Sequence, residues 1–315
     1  MKYIKWGVLG CSVSTLPIIR LLGSIEGAQV VAVMNEQRED AKSFASELDC
    51  KYYTDVQELI DDSDVNAVFV ASASSTHATY AVLSMRRGKP VLLNAPLANT
   101  YWDCVRINRV SEETGVSCFV NYFMRYLPYF ESVDKYLKSG VLGTLLSVEL
   151  RSVGIPPHFL KADMSMEEVF WTMGAHQIDL LQHLFGVIIE AWGIGMKEKG
   201  QAVSSCFKFE TGLAGSALWT LSAPKELMEN EVIVIGEQGQ LRFSLFGDNP
   251  IRVKIGSDDE LVEQNGECVN LQEDVCLPLL KEVVSDLQGF NVCTCTSISG
   301  TPVHWVLDRF KELDH

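Results

Sequence analysis

A histidine and an aspartate three positions apart, His176 and Asp179, are the residues in this sequence best suited to acid–base chemistry. In a helix that spacing places both side chains on one face. An imidazole titrates near neutral pH, so His176 is suited to moving a proton, with Asp179 fixing its orientation and charge. The alternative is structural: a histidine bonded to backbone near a helix start, with Asp179 in a salt bridge. The spacing alone leaves both roles open.

A second candidate site follows the first apolar run, in residues 7–15. A Rossmann loop uses glycine for a tight turn, for close approach to pyrophosphate and for helix–strand packing. Gly10 takes the first of these positions, and the small residues Ser12 and Thr15 take the other two. The following helix can still present its free amides to phosphate. The predicted cofactor contacts are Gly10, Ser12, Val13 and Ser14. The alternative is a loop that merely turns the chain.

The end of the second apolar run bears on the choice of cofactor. An acidic residue about 20–25 residues after the loop would hold the ribose hydroxyls of NAD. Asn35 takes that position, with Glu36 beside it and Arg38 two residues further on. Glu36 favours NAD, whereas Asn35 with Arg38 could tolerate the extra phosphate of NADP. We therefore predict cofactor contacts at Asn35 and Glu36 and leave NAD or NADP undecided.

The elements that must position these residues follow two different rhythms. In the first 120 residues, short β-rich runs alternate with amphipathic helical patterns, which indicates a parallel sheet covered on both faces. The predicted strands are 3–9, 29–34, 67–71, 90–93 and 117–120. The predicted helices are 16–22, 39–48, 56–60, 77–87 and 102–114, with Asp55 and Thr100 as N-caps and Gly88 and Gly115 at helix ends.

After about residue 122, strands dominate and the helices are grouped apart. This pattern predicts an open α+β sheet, largely antiparallel, with helices on one face. The predicted strands are 145–153, 188–196, 204–209, 214–221, 231–235, 240–246 and 251–255. The predicted helices are 128–138, 166–185, 277–287 and 302–313. We therefore expect a Rossmann dinucleotide-binding domain, a doubly wound parallel sheet, in residues 1–122, and an α+β substrate and oligomerisation domain in residues 123–315.

Composition limits the partners and the location. Lysine and arginine number 26 against 41 aspartates and glutamates, a net charge of −15, which argues against a nucleic-acid partner. No run approaches the roughly 18–20 apolar residues that span a bilayer, so no membrane contact is predicted. Nine cysteines without any Cys-x-x-Cys pair indicate free thiols and no metal site. We expect a cytoplasmic protein with a small-molecule substrate.

Three longer segments complete the pattern that begins with Gly10-Cys11-Ser12. Residues 70–77 are similar to Val-Ala-Thr-Pro-Asn-x-x-His, residues 88–98 to Gly-Lys-His-Val-Leu-x-Glu-Lys-Pro-Leu-Ala, and residues 174–181 to Gly-x-His-x-Ile-Asp-Leu-Leu. Through these motifs, from residue 3 to about residue 222, the chain resembles the Gfo/Idh/MocA oxidoreductase family. The resemblance implies an NAD(P)-dependent oxidoreductase that acts on a sugar-like or other small carbonyl, hydroxyl or imine substrate.

The same resemblance assigns further site residues. Ser72, His77 and Asn94 are expected near the cofactor, although His77 is equally compatible with a capping or core histidine. Tyr122, Arg125 and Trp171 are expected at the substrate; the alternatives are an interdomain ion pair for Arg125 and a core position for Trp171. His176 and Asp179 are expected to face the nicotinamide and handle the substrate proton. His183, one turn beyond Asp179, is expected to be structural.

Departures from the family pattern motivate a second hypothesis. Where the family has Glu-Lys-Pro, this chain has Asn94-Ala95-Pro96, so the lysine expected beside the substrate hydroxyl is absent. Ser12 and Ala73 also replace a family glycine and a family proline. A methyl group cannot assist proton transfer as an ammonium can. The alternative function is therefore a non-catalytic relative that binds a nucleotide or metabolite and acts as a sensor.

The strand-rich second half also predicts assembly. An open sheet that helices cover on one face leaves its other face to be buried elsewhere. The run 214–221 carries Leu218, Trp219 and Leu221. We therefore expect a homo-oligomer, and specifically a dimer through sheet faces.

Overall fold

The computed structural model describes residues 2–154, 166–195, 202–221, 223–256, 258–261 and 274–312. The chain divides into two compact units. The first comprises Met1–Phe123 with Cys276–His304, and the second comprises Met124–Val275 with Trp305–His315. The first division lies one residue after the predicted boundary. The prediction differs at the C-terminal end, because it placed residues 276–304 in the second domain.

The sheet of the first unit has six parallel strands in the order β3-β2-β1-β4-β5-β6. These strands are β1 (Ile4–Leu9), β2 (Ala28–Met34), β3 (Lys51–Tyr53), β4 (Ala67–Val70), β5 (Val91–Leu93) and β6 (Cys118–Val120). The predicted parallel sheet is thus confirmed. Strand β3 escaped prediction because it is a three-residue edge strand, Lys-Tyr-Tyr, with none of its side chains buried and therefore no apolar pattern.

The helices between these strands begin and end where local chemistry indicates. They are α1 (Leu16–Ser24), α2 (Arg38–Leu48), α3 (Val56–Asp61), α4 (Ser74–Arg86) and α5 (Tyr101–Thr114). The Asp55 carboxylate accepts hydrogen bonds from the amides of Gln57 and Glu58, at 2.8 and 3.1 Å. The Thr100 hydroxyl accepts one from the Asp103 amide at 3.1 Å. Both predicted N-caps are confirmed.

The second unit contains an eight-stranded sheet in the order β14-β13-β12-β11-β7-β10-β9-β8. All neighbouring strands are antiparallel except β7 and β10, so the predicted, largely antiparallel sheet is confirmed. Its elements in chain order are α6 (Pro128–Lys138), β7 (Leu145–Val153), α7 (Met166–Phe185), β8 (Ile188–Gly195), β9 (Ala202–Phe209), β10 (Ala214–Thr220), β11 (Glu229–Gly236), β12 (Gly239–Ser244), β13 (Arg252–Ile255) and β14 (Asp258–Leu261). Acidic β14 was not predicted, and the predicted ends at residues 196 and 313 lie outside the described residues.

Two further helices, α8 (Leu277–Gln288) and α9 (Ser297–Glu312), follow the second sheet in the sequence. The segment between them returns to the first sheet: the Val120 amide donates to the Cys295 carbonyl at 3.1 Å, and Phe119 forms an antiparallel bridge with Thr296. This segment satisfies main-chain groups at the open edge of β6, which explains why residues 276–304 belong to the first unit. The unit boundary therefore falls within α9.

Side chains of the second sheet alternate between a covered and an open face. On β10, Trp219 is buried and meets Phe170 of α7 and Phe310 of α9 edge-on or tilted, whereas Leu218 is only partly buried. Of the three apolar residues singled out in the run 214–221, Trp219 therefore points to the helix-covered side and Leu221 is also buried, which leaves only Leu218 partly exposed. In the described part of the chain, no helix combines the length and apolar character needed to traverse a bilayer.

Candidate functional site

The carboxyl ends of β1 and β4 form the point at which the strand order of the first sheet reverses. In open α/β sheets, ligands bind at that point. Gly10 follows β1 with a φ of +82°, and a Cβ atom there would lie 2.4 Å from the Cβ of Ser72, which follows β4. Residue 10 therefore has to be glycine, and the structure brings together Gly10 and Ser72, two of the predicted cofactor contacts.

The loop from residue 12 to residue 15 presents hydroxyls and amides at the start of α1. The Ser12 amide donates to the Thr15 hydroxyl at 3.0 Å, and the Ser12 hydroxyl lies 2.9 Å from that of Ser14. Within the described residues, the amides of Val13 and Ser14 have no acceptor. Unused amides at a helix N-terminus suit an anion, so this loop fits the pyrophosphate of a dinucleotide.

Asn35, at the end of β2, holds the phosphate loop in place. Its side-chain amide donates to the Cys11 carbonyl at 2.9 Å, and its side-chain oxygen accepts from the Gln37 amide at 2.8 Å. Glu36 and Arg38 are both exposed. Asn35 therefore contributes to loop geometry through contacts that sequence reasoning did not anticipate, and its predicted ribose contact stays a prediction.

His77, on α4, is 1% exposed. Its Nδ1 lies 3.0 Å from the Pro96 carbonyl oxygen and 3.3 Å from that of Leu97, and its Nε2 lies 2.9 Å from the Ser72 carbonyl oxygen. The ring is thus enclosed by main-chain acceptors, with no surface left for a ligand. These contacts are the ones expected from the core alternative for His77, and its predicted place near the cofactor stays a prediction.

The segment that replaces Glu-Lys-Pro lies directly after β5. The Asn94 amide donates to the Val70 carbonyl at 2.9 Å, and the Asn94 side-chain oxygen accepts from Asn121 at 3.2 Å. Ala95 is 8% exposed, and the Ala95–Pro96 peptide bond is cis. Asn94 is half-buried at the carboxyl edge of the sheet, the position from which a cofactor contact was predicted.

Tyr122 is completely buried within the first unit. Its hydroxyl accepts from the Leu97 amide at 3.4 Å and lies 3.3 Å from Nε2 of His304 on α9. The hydroxyl is therefore engaged within the first unit, and the predicted substrate contact of Tyr122 stays a prediction. Its role is to support the segment that follows Pro96.

In the second unit, Arg125 and Asp179 form a buried bidentate ion pair. The Arg125 Nε donates to Oδ2 of Asp179 at 2.7 Å, and Nη2 donates to Oδ1. The side chains are 9% and 0% exposed. Burial raises the pKa of Asp179, and the adjacent guanidinium opposes that rise. This pair lies within the second unit, and the predicted substrate contact of Arg125 stays a prediction.

His176, on α7, is 5% exposed. The next residue, Gln177, is fully buried and accepts from Trp219 Nε1 at 2.5 Å, while its amide donates to the Ser152 hydroxyl at 3.1 Å. Successive residues of an α-helix are rotated by about 100° around its axis. Viewed along the axis, Gln177 therefore lies about 100° to one side of His176, and Asp179 lies about 60° to the other side. These two bonded neighbours fix the rotation of α7 and hence the direction in which His176 points.

Sequence reasoning missed Gln177, although a glutamine among buried positions of an amphipathic helix was the available signal. Trp171 is half-buried, with its ring edge-on to Phe170 at a centroid distance of 4.8 Å. His183 is exposed. The structure therefore keeps Trp171 accessible in part and leaves its predicted substrate contact a prediction.

The strand order, the glycine turn and the open amides of α1 define the first unit as a dinucleotide-binding Rossmann domain. Comparison with known proteins agrees. Residues 4–122 match the family model described as "Oxidoreductase family, NAD-binding Rossmann fold". Residues 130–242 match the "GFO/IDH/MocA C-terminal domain". The chain belongs to the Gfo/Idh/MocA oxidoreductase family, which confirms the predicted family and an NAD(P) cofactor.

Relatives show similarity over different lengths. Oxidoreductase P35 of Formosa agariphila is 24% identical, with 98% of each chain aligned. Inositol 2-dehydrogenase 2 of Saccharopolyspora erythraea is 33% identical over 57% of this chain, but the match spans only 53% of that enzyme's length. The crystal structure of the WlbA dehydrogenase from Bordetella pertussis, in complex with NADH and UDP-GlcNAcA, has a TM-score of 0.83 and 17% identity, over 99% of this chain and 95% of that one. The last likeness confirms the fold.

Proposed function

We propose that this protein is an NAD(P)-dependent oxidoreductase that acts on a sugar-like or polyol substrate. The observation that carries the proposal is the reversal point of the first sheet, where Gly10 turns against Ser72 and the amides of Val13 and Ser14 have no acceptor among the residues that the structure describes. The substrate class is supported by the relatives, one of which is an inositol dehydrogenase and another of which binds a UDP-linked sugar acid.

Few tasks are left to the protein's side chains in such a reaction. The bound nicotinamide supplies hydride transfer. One group must exchange a proton with the substrate oxygen, and we propose His176, because the neighbouring Gln177 and Asp179 fix its direction. Asp179 acts through α7 and Arg125 as a positioning residue. Ala95 has no donor to offer, so the proton depends on a side chain elsewhere.

Binding and turnover together test this function. NADH and NADPH are titrated into the protein by calorimetry, and hydride exchange is then followed by absorbance with inositols, free sugars and UDP-sugars. We expect binding of at least one nucleotide and turnover of at least one polyol or sugar. Binding without turnover on any of them would favour the sensor hypothesis, which is supported by none of the relatives named above. No binding at millimolar nucleotide would refute the proposal.

We further propose a homodimer through the open face of the second sheet. On β8, Trp192 is 57% exposed and Ile194 is 80% exposed, whereas the opposite face of the sheet is covered by helices. Exposed apolar side chains on a sheet face are typical of a protein interface. Light scattering should show a dimer at micromolar concentration, and Trp192→Glu with Ile194→Lys should give a monomer. A monomeric unsubstituted protein would refute the dimer.

We also propose a cytoplasmic location. Eight cysteines in the described residues are free, which is typical of proteins in a reducing compartment. Thiol titration of protein isolated without reductant should find these cysteines unpaired. Disulfides in the isolated protein, or its recovery outside the cytoplasmic fraction, would contradict this location.

A further inference from the structure

The environment of His77 is unusual because only acceptors face its ring nitrogens. Nδ1 meets the carbonyl oxygens of Pro96 and Leu97 at 3.0 and 3.3 Å, and Nε2 meets that of Ser72 at 2.9 Å. A neutral imidazole carries one N–H, so one of its nitrogens would point a lone pair at a carbonyl oxygen. In a buried site, such an unmade hydrogen bond is unfavourable. The imidazolium form satisfies both sides.

The carbonyls belong to two loops that form the cofactor-binding edge. The Ser72 loop packs against Gly10 of the phosphate loop, because the space for a Gly10 Cβ is filled by Ser72. Pro96 and Leu97 follow Asn94 and Ala95 at the end of β5. The His77 ring therefore joins the phosphate-loop side of the edge to the segment that replaces Glu-Lys-Pro.

We propose that His77 is a proton-dependent positioning residue: with both nitrogens protonated, it ties the Ser72 loop to the Pro96–Leu97 segment and holds the edge in the geometry that binds the dinucleotide. Loss of one proton releases one of the two loops. The effect on binding rests on the cofactor site proposed above, whereas the protonation of the ring does not.

The groups around the ring decide the direction of the effect. Burial lowers the pKa of His77, and the three carbonyls oppose that change; among the described residues, no charged side chain contributes to it. On the Leu97 side, the titratable groups are the Tyr122 hydroxyl, which accepts from the Leu97 amide, and His304, which lies next to that hydroxyl. Because burial lowers the pKa of His77 below that of an ordinary histidine, the ring takes up its second proton only at a lower pH, and the tie weakens as the pH rises through that pKa.

Linkage makes this proposal measurable in two ways. If the protonated ring favours the binding geometry, bound dinucleotide must in return raise the pKa of His77. Nitrogen NMR of the six histidines distinguishes imidazolium from each neutral tautomer, and His77→Gln identifies the signal. If that variant does not fold, substitution of the other histidines identifies His77 by elimination.

The experiment titrates the unsubstituted protein from neutral to acidic pH, free and with NADH, while calorimetry follows the affinity for NADH. NADH is chosen because the extra phosphate of NADPH itself titrates near pH ~6. We expect an imidazolium signal for His77, a higher pKa with NADH bound, and affinity that rises as the pH falls. His183→Gln, a change at an exposed histidine, should leave the profile unchanged.

The two proposals fail in different ways. A His77 that keeps a single neutral tautomer throughout the folded range would overturn the tie, whether or not NADH binds. An equal pKa in free and bound protein would overturn its link to the cofactor. Absence of NADH and NADPH binding at every pH, with His77 still titrating as an imidazolium, would instead refute the proposed function.

Discussion

The two units build their candidate functional regions from different parts of the polypeptide. At the edge of the first sheet, main-chain atoms carry the geometry: the positive φ of Gly10, the amides of Val13 and Ser14, and the carbonyls around His77. On α7 of the second unit, side chains carry it, through the Arg125–Asp179 ion pair and the Gln177 hydrogen bonds. The comparison indicates that the phosphate loop can accept changes of side chain, as at Ser12, that the buried pairs of α7 cannot.

This difference also explains the departures from the family pattern. Ser12 and Thr15 stand where a Rossmann loop uses glycine, yet the loop keeps its turn because Gly10 and the Asn35 contact hold its backbone. On α7, Gln177 and Asp179 each have a buried partner that a substitution would leave unpaired. Such partners are costly to remove, because a buried polar group without a hydrogen bond keeps its desolvation penalty.

The largest effect is expected at His176. Removing a positioned acid or base costs about 10²–10⁴-fold in rate, so His176→Ala should lower turnover by that order. Nucleotide affinity should hardly change, because the phosphate contacts belong to the main chain of the first unit. Steady-state kinetics and calorimetry measure the two separately. His183→Ala, at an exposed histidine on the same helix, is the control, and full activity of His176→Ala would contradict the proposed proton transfer.

Loss of the buried ion pair comes next. Arg125→Met leaves the Asp179 carboxylate buried without its partner, and such a change costs about 3–5 kcal/mol of unfolding free energy. Urea denaturation measures this loss. Arg109→Ala breaks an exposed pair with Glu113 and should cost less than about 1 kcal/mol.

The pH dependence of Arg125→Met sharpens that comparison. Without the guanidinium, burial alone acts on Asp179 and raises its pKa further above the unfolded value. A carboxyl whose pKa is higher in the folded than in the unfolded state takes up its proton in the folded state first. The free energy of unfolding of the variant should therefore rise again as the pH falls towards the pKa of Asp179 in the unfolded state. If the variant loses the same free energy of unfolding at every pH, relative to the unsubstituted protein, Asp179 is not left ionised.

Gly10→Ala tests the backbone-built region. The substitution forces a left-handed conformation that costs about 1–2 kcal/mol and places a Cβ 2.4 Å from that of Ser72. We expect weaker NADH binding in calorimetry and a lower melting temperature. Gly212→Ala is a matched control, because Gly212 has a φ of +88° with nothing within 4 Å of the added atom. Equal losses in the two variants would mean that the Ser72 contact is unimportant.

The smallest effect is expected for Ser12→Gly. If the loop binds phosphate through main-chain amides, removing this Cβ and hydroxyl should leave the dissociation constant for NADH unchanged or slightly lower. Ser14→Ala serves as the comparison at the hydroxyl 2.9 Å away. A marked loss of affinity in Ser12→Gly alone would show that its hydroxyl is a ligand, and the first region would then depend on side chains as well.

The sequence by itself determined the features that arise from local patterns. Alternating apolar runs and amphipathic helices predicted the parallel sheet, and Asp55 and Thr100 marked helix starts, because a cap contacts amides only two or three residues away. The position of Gly10 directly after β1 predicted the turn. Weak local patterns were missed for the same reason, as in polar, three-residue β3.

Only the tertiary structure decided the partners that lie far apart in the chain. Asp179 pairs with a residue 54 positions away, and the His77 ring meets carbonyls from two separate loops. The segment around Cys295 joins β6 across 175 residues. The family resemblance made His77 and Tyr122 candidates for the site, and spacing relative to His176 made Asp179 one. Their hydrogen-bond capacity, however, is used by whichever groups folding brings closest, and no local pattern encodes that choice.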